Sequence, residues 1–268
     1  MRVSELERSL FECYPRSVAE PWDHVGLSVG RPDEELGVAC VALDASPRNV
    51  GRAHELGAGV LVTHHPVYIS APASFVPECA AAPQGAAAVF TAAELGVSVI
   101  SMHTNLDRSP DARAILPELL GVGAQTSLEY PSQPDRAGIG AIAKTAPERL
   151  GDLARRVARV FSTEPRVWGD PACEIAKLAF VPGALGDLGG AAIDVGADVL
   201  ITGEAGYHVC QDLAACGCSV ILLGHDRSEE PFVDVLARRL IRIGLSGDAV
   251  KIIRSSAQWW TISKGDLL

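Results

Sequence analysis

Residues 57–66 read Gly-Ala-Gly-Val-Leu-Val-Thr-His-His-Pro, a stretch that predicts both a buried strand and a candidate site. The apolar run Val60–Val62 is typical of a strand covered on both faces. Pro66 has no N–H and restricts His65 to extended or turn geometry, so the strand is expected to end at the two histidines. In a mostly parallel α/β sheet, ligands bind at the carboxyl edge of the strands. His64 and His65 therefore mark a candidate site, with two polar residues that cap a strand as the alternative.

The strand before these histidines has a counterpart in the second half of the chain. Residues 196–202, Gly-Ala-Asp-Val-Leu-Ile-Thr, match residues 57–63, and residues 217–221, Gly-Cys-Ser-Val-Ile, match residues 96–100, Gly-Val-Ser-Val-Ile. A strand, a helix, a glycine stop and a further strand followed by a histidine thus recur in the same order. This recurrence predicts a duplicated α/β unit. Chance similarity between two βαβ units is the alternative.

The repeat suggests an α/β protein with two similar domains. We place the first domain, with most of the candidate ligands, at residues 1–130 plus 225–268, and the second at residues 131–224. Residues 126–137 are rich in Pro, Ser, Gln and Asp and are the best candidate for a linker. A site that draws on both halves would lie between them, which is a common place for a pocket.

Length and composition bound the class of protein. The chain has 268 residues, of which 48% are hydrophobic and 21% charged, as expected for a globular protein with a sizeable core. Its net charge of −10 argues against a nucleic-acid groove or an anionic membrane as the main partner. The first seven residues carry two acids and no apolar core, so no signal peptide is expected, and no apolar run approaches the roughly 20 residues of a membrane helix. These features favour a cytoplasmic protein.

The seven cysteines include no C-x-x-C pair, and most of them lie within apolar runs. A reduced cysteine in such a run behaves as a small hydrophobic residue, so we expect them in the core. The absence of a thiolate set argues against a structural zinc site.

Imidazole and carboxylate side chains follow several of the predicted strands: His64, His65, His103, Asp107, His225 and Glu229. A mixed nitrogen and oxygen set suits Zn, Fe, Mn or a similar divalent ion. The set is larger than one tetrahedral ion takes from a protein. Two ions about 3.5–4 Å apart that share a carboxylate would use it better.

His225 and Glu229 are four residues apart, where a strand is expected to give way to a helix. Ser228 is predicted to cap the helix 232–240, with Pro231 in its first turn. This geometry would place His225 at the strand end and Glu229 at the helix start, both facing the crevice.

Five blocks of sequence, in the same order, carry a resemblance to one family. They are Trp22-Asp23-His24-Val25-Gly26-Leu27, Thr63-His64-His65-Pro66, His103-Thr104-Asn105-Leu106-Asp107, Thr202-Gly203-Glu204 with His208, and Gly224-His225 with Ser228-Glu229. Together they resemble the NGG-interacting-factor-like family, whose members are often named GTP cyclohydrolase I type 2 homologues. The blocks run from residue 22 to about residue 240, nearly the whole chain.

This resemblance implies a dinuclear metal site, an architecture and an assembly. The two divalent ions would be held by His64, His65, Asp107, His225 and Glu229. The fold would consist of two intertwined three-layer α/β/α domains. The chain would form a ring-shaped homohexamer whose sites face an inner cavity.

The chain differs from the family pattern at two places. His24 stands where the family usually has asparagine. Pro182-Gly183-Ala184 stands where a Gly-Ser-Gly-like turn is common. The second difference argues against a phosphate-cradling role for that turn.

The function that the residues and the resemblance favour is a metal-dependent hydrolase, in which two ions lower the pKa of a bridging water and polarise the bond that it attacks. Glu204, His208 or His103 would move protons. The substrate would be a small molecule such as a nucleotide, a cyclic amide or a phosphoester, and the family name points to GTP ring opening.

Each of these secondary residues has a plainer alternative role. Asp23 and His24 could line the pocket or fix a loop. His103 could orient a ligand by a hydrogen bond instead of binding metal. Glu204 and His208 lie four residues apart and could cap a helix.

Two other classes of function stay open at this point. The first is a non-enzymatic scaffold for metal storage, metal delivery or regulation. The second, weaker one is an interaction adaptor with an incidental metal site.

Overall fold

The computed structural model describes residues 1–77, 83–255 and 259–262. These residues form eleven strands: β1 Gly26–Val29, β2 Val38–Ala42, β3 Ala58–Thr63, β4 Ser98–Ser101, β5 Ala124–Thr126, β6 Ala141–Arg149, β7 Arg166–Trp168, β8 Glu174–Ala184, β9 Val199–Glu204, β10 Ser219–Leu222 and β11 Val250–Ile252. The helices are α1 Val3–Cys13, α2 Pro47–Glu55, α3 Pro83–Leu95, α4 Thr104–Asp107, α5 Pro110–Leu119, α6 Leu150–Val160, α7 Gly189–Asp194, α8 Tyr207–Ala215, α9 His225–Glu229 and α10 Pro231–Arg242.

The strands belong to two sheets, each built around parallel strands. The first sheet has the order β1-β4-β3-β2-β11, in which only β1 is antiparallel to its neighbour. The second has the order β5-β6-β8-β9-β10-β7, in which β8, β9 and β10 are parallel and the outer strands antiparallel. The predicted α/β fold class is confirmed.

The repeated sequences adopt similar structures in the two sheets. Each sheet contains three parallel strands joined by two helices, β2-α2-β3-α3-β4 in the first and β8-α7-β9-α8-β10 in the second. A glycine with positive φ follows each of these helices: Gly57 at 74°, Gly96 at 67°, Gly196 at 64° and Gly217 at 85°. Glycine is favoured there because a side chain strains this left-handed conformation. Two similar sheets are consistent with an internal duplication.

The polar stretch 126–137 has a different place from the one predicted. It begins at the last residue of β5 and continues toward β6, and these two strands are adjacent and antiparallel in the second sheet. The segment therefore makes a hairpin connection within one sheet and is not a linker between sheets. The division into domains at residues 130 and 225 stays a prediction.

One buried cluster of apolar side chains joins the two sheets. It contains Val62 and Ile100 of the first sheet, Phe180 and Ile201 of the second, and Phe232 of α10. Burial of this apolar surface is the main favourable term in folding. The shared core fixes the carboxyl edges of the two parallel sets relative to each other.

The cysteines are only partly in the core, as their exposure shows. Cys40, Cys210 and Cys218 are buried, Cys13 and Cys173 are intermediate, and Cys216 is exposed. The prediction of a core position is wrong for Cys216, which lies directly after α8. Cys79 lies outside the described residues. Among the described helices, none is long and apolar enough to cross a membrane.

Candidate metal centre

His64 is the most deeply placed side chain of the site. The strand β3 ends just before it, and its Nδ1 lies 3.0 Å from the carbonyl oxygen of Met102, which follows the neighbouring strand β4. Its ring packs against Phe232 at a centroid distance of 4.8 Å, and its side chain is fully buried. These contacts fix the imidazole so that Nε2 faces Asp107 and Glu229.

Two neighbouring buried polar atoms have no hydrogen-bond partner within the described part of the chain. Among the described residues, neither His64 Nε2 nor Asp107 Oδ1 has one, and the two atoms lie 3.6 Å apart. An unsatisfied buried polar atom costs about 1–3 kcal/mol, so such a pair calls for an explanation such as an ion. An imidazole nitrogen and a carboxylate oxygen are donors that Zn, Fe and Mn accept. The residues therefore fit a divalent metal.

The carboxylate of Glu229 lies between two groups of histidines. Its Oε1 is 3.7 Å from His64 Nε2, whereas its Oε2 is 2.8 Å from His65 Nε2 and 3.1 Å from His225 Nε2. Glu229 is only 4% exposed. Two oxygens that face different imidazoles are the arrangement a shared carboxylate needs.

The donor atoms form two overlapping groups. One contains His64, His65 and His103, the other His65, His225 and Glu229, and within each group the atoms lie within 4.8 Å of one another. Each group could hold a metal ion. All five predicted ligands thus come together in one crevice, with Asp107 joined to it through His64. Their role as ligands stays a prediction.

Three of the imidazoles are oriented by carboxylates on the side away from this crevice. Asp44 Oδ1 is 2.7 Å from His65 Nδ1, Glu204 Oε1 is 2.8 Å from His225 Nδ1, and Asp23 Oδ1 is 3.0 Å from His103 Nδ1. Carboxylates in this position fix ring orientation and raise the basicity of the imidazole. Asp44 was missed by sequence reasoning, although it follows β2 at the same sheet edge as His65 follows β3.

Asp23 holds the loop and His103 together. Its Oδ2 accepts hydrogen bonds from the backbone N–H of Thr104 at 3.0 Å and from the Thr104 hydroxyl at 2.5 Å. Burial alone would raise the pKa of Asp23, but the hydrogen bonds from His103 and Thr104 outweigh it and lower the pKa to about 2. This arrangement favours the loop-fixing role for Asp23 and the orienting role for His103.

His24 and His208 belong to neither of the two groups of donor atoms found among the described residues. His24 is exposed, and its ring packs edge-on against Tyr68 at a centroid distance of 5.3 Å. His208 is exposed on α8, where its ring meets Tyr207 at 5.3 Å. The pocket role of His24 and the catalytic role of His208 stay predictions.

Ser228 has a different role from the predicted helix cap. It lies within α9, and Glu230 is the residue that precedes α10. The Ser228 hydroxyl donates to the carbonyl oxygen of His225 and accepts from the backbone N–H of Gly183, both at 2.8 Å. It therefore ties α9 to the end of β8, which positions Glu229 at the end of α9.

The turn around Gly183 is shaped to admit the carboxylate of Glu229. Gly183 has φ +61°, and a Cβ built on it would lie 2.1 Å from Glu229 Oε1 and 3.3 Å from His225 Nε2. A Cβ on Gly203 of β9 would similarly lie 2.6 Å from the Ser228 hydroxyl oxygen. These two glycines are what allow α9 to pack so closely on β8 and β9.

The ionisable groups of the crevice lie close enough to shift one another's pKa values. Burial would raise the pKa of Glu229, but hydrogen bonds with His225 and His65 and the nearby imidazole of His64 keep it well below its usual range. Burial raises the pKa of Asp107. The hydrogen bond to Glu229 raises the pKa of His225 to about 9, and bonds to Asp44 and Glu229 outweigh burial to raise the pKa of His65 to about 10.

We expect metal uptake to depend on pH because His65 and His225 retain protons at neutral pH in the metal-free protein. A metal ligand must lose its proton, so affinity should rise from pH 6 to pH 9, and binding at pH 7.5 should release protons. Calorimetry in two buffers of different ionisation enthalpy measures the proton count. An affinity that is independent of pH would contradict the prediction.

The raised pKa values of His65 and His225 also predict how pH affects the stability of the metal-free protein. A histidine whose pKa is raised by folding contributes stability fully below its unfolded pKa of about 6.5. That contribution should be lost as the pH rises through about 9 to 10. Urea unfolding of chelator-treated protein at pH 6 and pH 10 checks the sign.

A cleft of about 610 Å³ opens beside the crevice. Its lining includes His65 and His225 from the cluster, together with Arg166, Glu204 and Trp259. This volume lies within the range of small-molecule sites.

The fold and the site together define an α/β protein in which the carboxyl ends of parallel strands from two related sheets deliver imidazoles and carboxylates to one crevice. The family model of Duf34/NIF3 (NGG1p interacting factor 3) matches residues 1–258, and the chain belongs to this family.

Two relatives illustrate the similarity in sequence. A "GTP cyclohydrolase 1 type 2 homolog" of Clostridium perfringens is 26% identical over 263 residues, covering 96% of this chain and 98% of the relative. A protein of the same name from Streptomyces coelicolor is 30% identical over 250 residues, covering 90% and 86%.

Solved structures share the fold. The Staphylococcus aureus hypothetical protein SA1388 superposes with a TM-score of 0.85 at 21% identity, covering 98% of this chain and 99% of that one. A Bacillus cereus protein related to NIF3 gives a TM-score of 0.81 at 18% identity, with 98% of each chain covered.

Proposed function

We propose that the chain is a metal-dependent hydrolase that holds two divalent ions, Zn, Fe or Mn, through the cluster His64, His65, Asp107, His225 and Glu229. The observation that carries the proposal is a buried pair of atoms, His64 Nε2 and Asp107 Oδ1. They lie 3.6 Å apart beside Glu229, and neither has a hydrogen-bond partner among the described residues. Bound divalent ions would supply Lewis-acid polarisation of the bond to be broken.

The protein's own side chains prepare this site. Asp44 and Glu204 hold His65 and His225 through their Nδ1 atoms, so that the Nε2 atoms face Glu229. Among the described residues that line the cleft, Glu204 is the one predicted to transfer protons. The names of the relatives support a nucleotide as substrate, and a phosphoester is the other class that the site suits.

The test is turnover by metal-loaded protein against GTP, other nucleotides, cyclic amides and phosphoesters. His65→Ala is expected to lower turnover at least about 100-fold, since even partners that only orient a ligand are worth 10–100-fold. His54→Ala is the matched control because His54 is exposed on α2. Equal activity of His65→Ala and the unaltered protein would remove the hydrolase proposal.

A specific observation favours a second candidate, a scaffold for metal storage, delivery or regulation. Of the predicted proton-transfer residues, Glu204 is engaged by His225, His103 by Asp23, and His208 lies exposed on α8. The scaffold predicts that bound metal exchanges readily with a chelator while no substrate is turned over.

The assembly belongs to the same proposal. A homohexamer with a small-molecule ligand, and with neither nucleic acid nor membrane as partner, agrees with the family resemblance and the net charge of −10. Light scattering coupled to size-exclusion chromatography measures the number of chains. A monomer at micromolar concentration would contradict the hexamer.

A further inference from the structure

Arg108 directly follows α4, and protein groups surround its guanidinium, so that the side chain is only 12% exposed. Its Nε and Nη2 donate to the two carboxylate oxygens of Glu129 at 3.3 and 3.0 Å. Nη2 also donates to Glu20 Oε1 at 2.5 Å, and Nη1 donates to the carbonyl oxygen of Val18 at 3.1 Å. One side chain thus joins α4 to the segment 18–23 and to the connection between β5 and β6.

The segment that Arg108 holds is connected to the histidine cluster through Thr104. The backbone N–H of Glu20 donates to Thr104 Oγ1 at 2.9 Å, and the Thr104 hydroxyl donates to Asp23 Oδ2. The other oxygen of Asp23 lies 3.0 Å from His103 Nδ1. His103 is a member of one of the two groups of donor atoms that could hold an ion. An unbroken series of contacts therefore runs from the guanidinium to an imidazole of the candidate metal centre.

The charges around Arg108 depend on it. Burial would raise the pKa of Glu129, but hydrogen bonds from Arg108 and from the backbone N–H of Ile139 outweigh burial and lower the pKa. Nη2 of Arg108 contacts the carboxylates of both Glu129 and Glu20. Without the guanidinium these two carboxylates would be left partly buried and would repel each other. The segment that carries Glu20 would then move away from its place.

We infer that Arg108 is a positioning residue of the metal centre, which fixes the segment 18–23 so that Asp23 holds His103 in the orientation that a bound ion requires. The inference deepens the proposed function, and it rests on the metal centre of that proposal but not on hydrolysis. Groups that orient a metal ligand through a hydrogen bond change metal affinity by about 10–100-fold. Since Arg108 acts through Asp23, its effect is expected at the lower end of that range.

Calorimetric titration of the metal-free chain with Zn²⁺ measures the effect of Arg108→Gln. One binding step is expected to weaken about tenfold, while the step at His65, His225 and Glu229 stays within about threefold. Glu20→Gln is the milder variant, because it removes only one of the contacts of the guanidinium. It should weaken the same step.

Arg239→Gln is the matched control for a loss of stability alone. Arg239 of α10 also joins separate helices, since it contacts Asp111 of α5 and the hydroxyl of Tyr14 at the end of α1. Asp111 is in neither donor group found among the described residues. We expect both arginine variants to unfold at lower urea concentration than the unaltered chain, but Arg239→Gln should keep both zinc affinities.

A double substitution tests whether Arg108 acts through Asp23. When Asp23→Asn is already present, Arg108→Gln should weaken zinc binding by less than about twofold, because two changes that act through one contact are not additive. Losses that multiply in the double variant would overturn the inference.

Amide hydrogen exchange of the metal-free chain reports the positioning directly. The amides of Glu20 and Thr104 donate to the Thr104 hydroxyl and to Asp23. Both should exchange at least about tenfold faster in Arg108→Gln and at the unaltered rate in Arg239→Gln.

Unchanged exchange at both amides, or unchanged zinc affinity in Arg108→Gln, would overturn the inference. A chain that binds no zinc would remove the metal centre and this inference with it. Zinc binding that depends on Arg108 without any turnover would retain the inference and remove only the hydrolase.

Discussion

Glu229→Gln is expected to abolish stable metal binding, lowering affinity by at least about 100-fold. Glu229 is the side chain whose two oxygens face separate imidazoles, His64 on one side and His65 with His225 on the other. Glutamine keeps the size but loses the negative charge and offers only one acceptor oxygen. One of the two groups would then face an NH₂ donor, which cannot ligate a cation. Elemental analysis after dialysis measures the loss directly.

Glu230→Gln is the matched control for this substitution. It makes the same chemical change one residue along the chain, where the carboxylate lies 3.6 Å from Arg254 and outside the histidine cluster. We expect it to retain the metal content of the unaltered protein. Retention of two ions per chain by Glu229→Gln would show that the carboxylate is not shared.

Gly183→Ala is expected to remove metal binding without altering any ligand. The new methyl group would lie 2.1 Å from Glu229 Oε1, well inside van der Waals contact, and the backbone has φ +61°. Because Ser228 and the Gly183 backbone tie α9 to β8, α9 cannot move aside without breaking that hydrogen bond. The carboxylate must therefore leave its position between the histidines. Metal content and urea unfolding measure the two consequences.

Gly186→Ala separates the clash from the backbone strain. Gly186 has φ +55°, close to the value at Gly183, but a Cβ there meets nothing within 4 Å. Left-handed backbone costs an alanine about 1–2 kcal/mol, so both variants should lose that much stability. Only Gly183→Ala should also lose metal. Equal metal content in the two variants would contradict the explanation that Gly183 makes room for the carboxylate of Glu229.

Those parts of the site that depend on residues adjacent in the chain could be predicted from the sequence. A strand that ends at His64 and His65 follows from the apolar run and from Pro66. The repeated glycine stops, such as Gly57 and Gly196, predicted a duplicated unit, and the two sheets agree with it. The hydrophobic pattern of a strand and the preference for glycine in a left-handed conformation both depend on only a few neighbouring residues.

The rest depends on contacts between distant residues, which no short pattern reports. Asp44 is an ordinary acid after a strand until the fold brings it within 2.7 Å of His65. Glu204 was predicted to transfer protons, and the structure shows it holding His225. The polar stretch 126–137 resembles a linker because hairpin connections and linkers share the same composition. Trp259 lines the cleft, where its indole N–H donates to Asp226, 33 residues away in the chain.

The crevice joins parts of the molecule that belong to different sheets. His65 follows a strand of the first sheet, whereas Glu229 ends a helix that lies on β8 and β9 of the second. Cations bound there would cross-link residues that are far apart in the sequence. A cross-link that closes so long a loop strongly restricts the unfolded chain. Such ions would make the halves unfold together, so that chelation would loosen the whole molecule rather than one pocket.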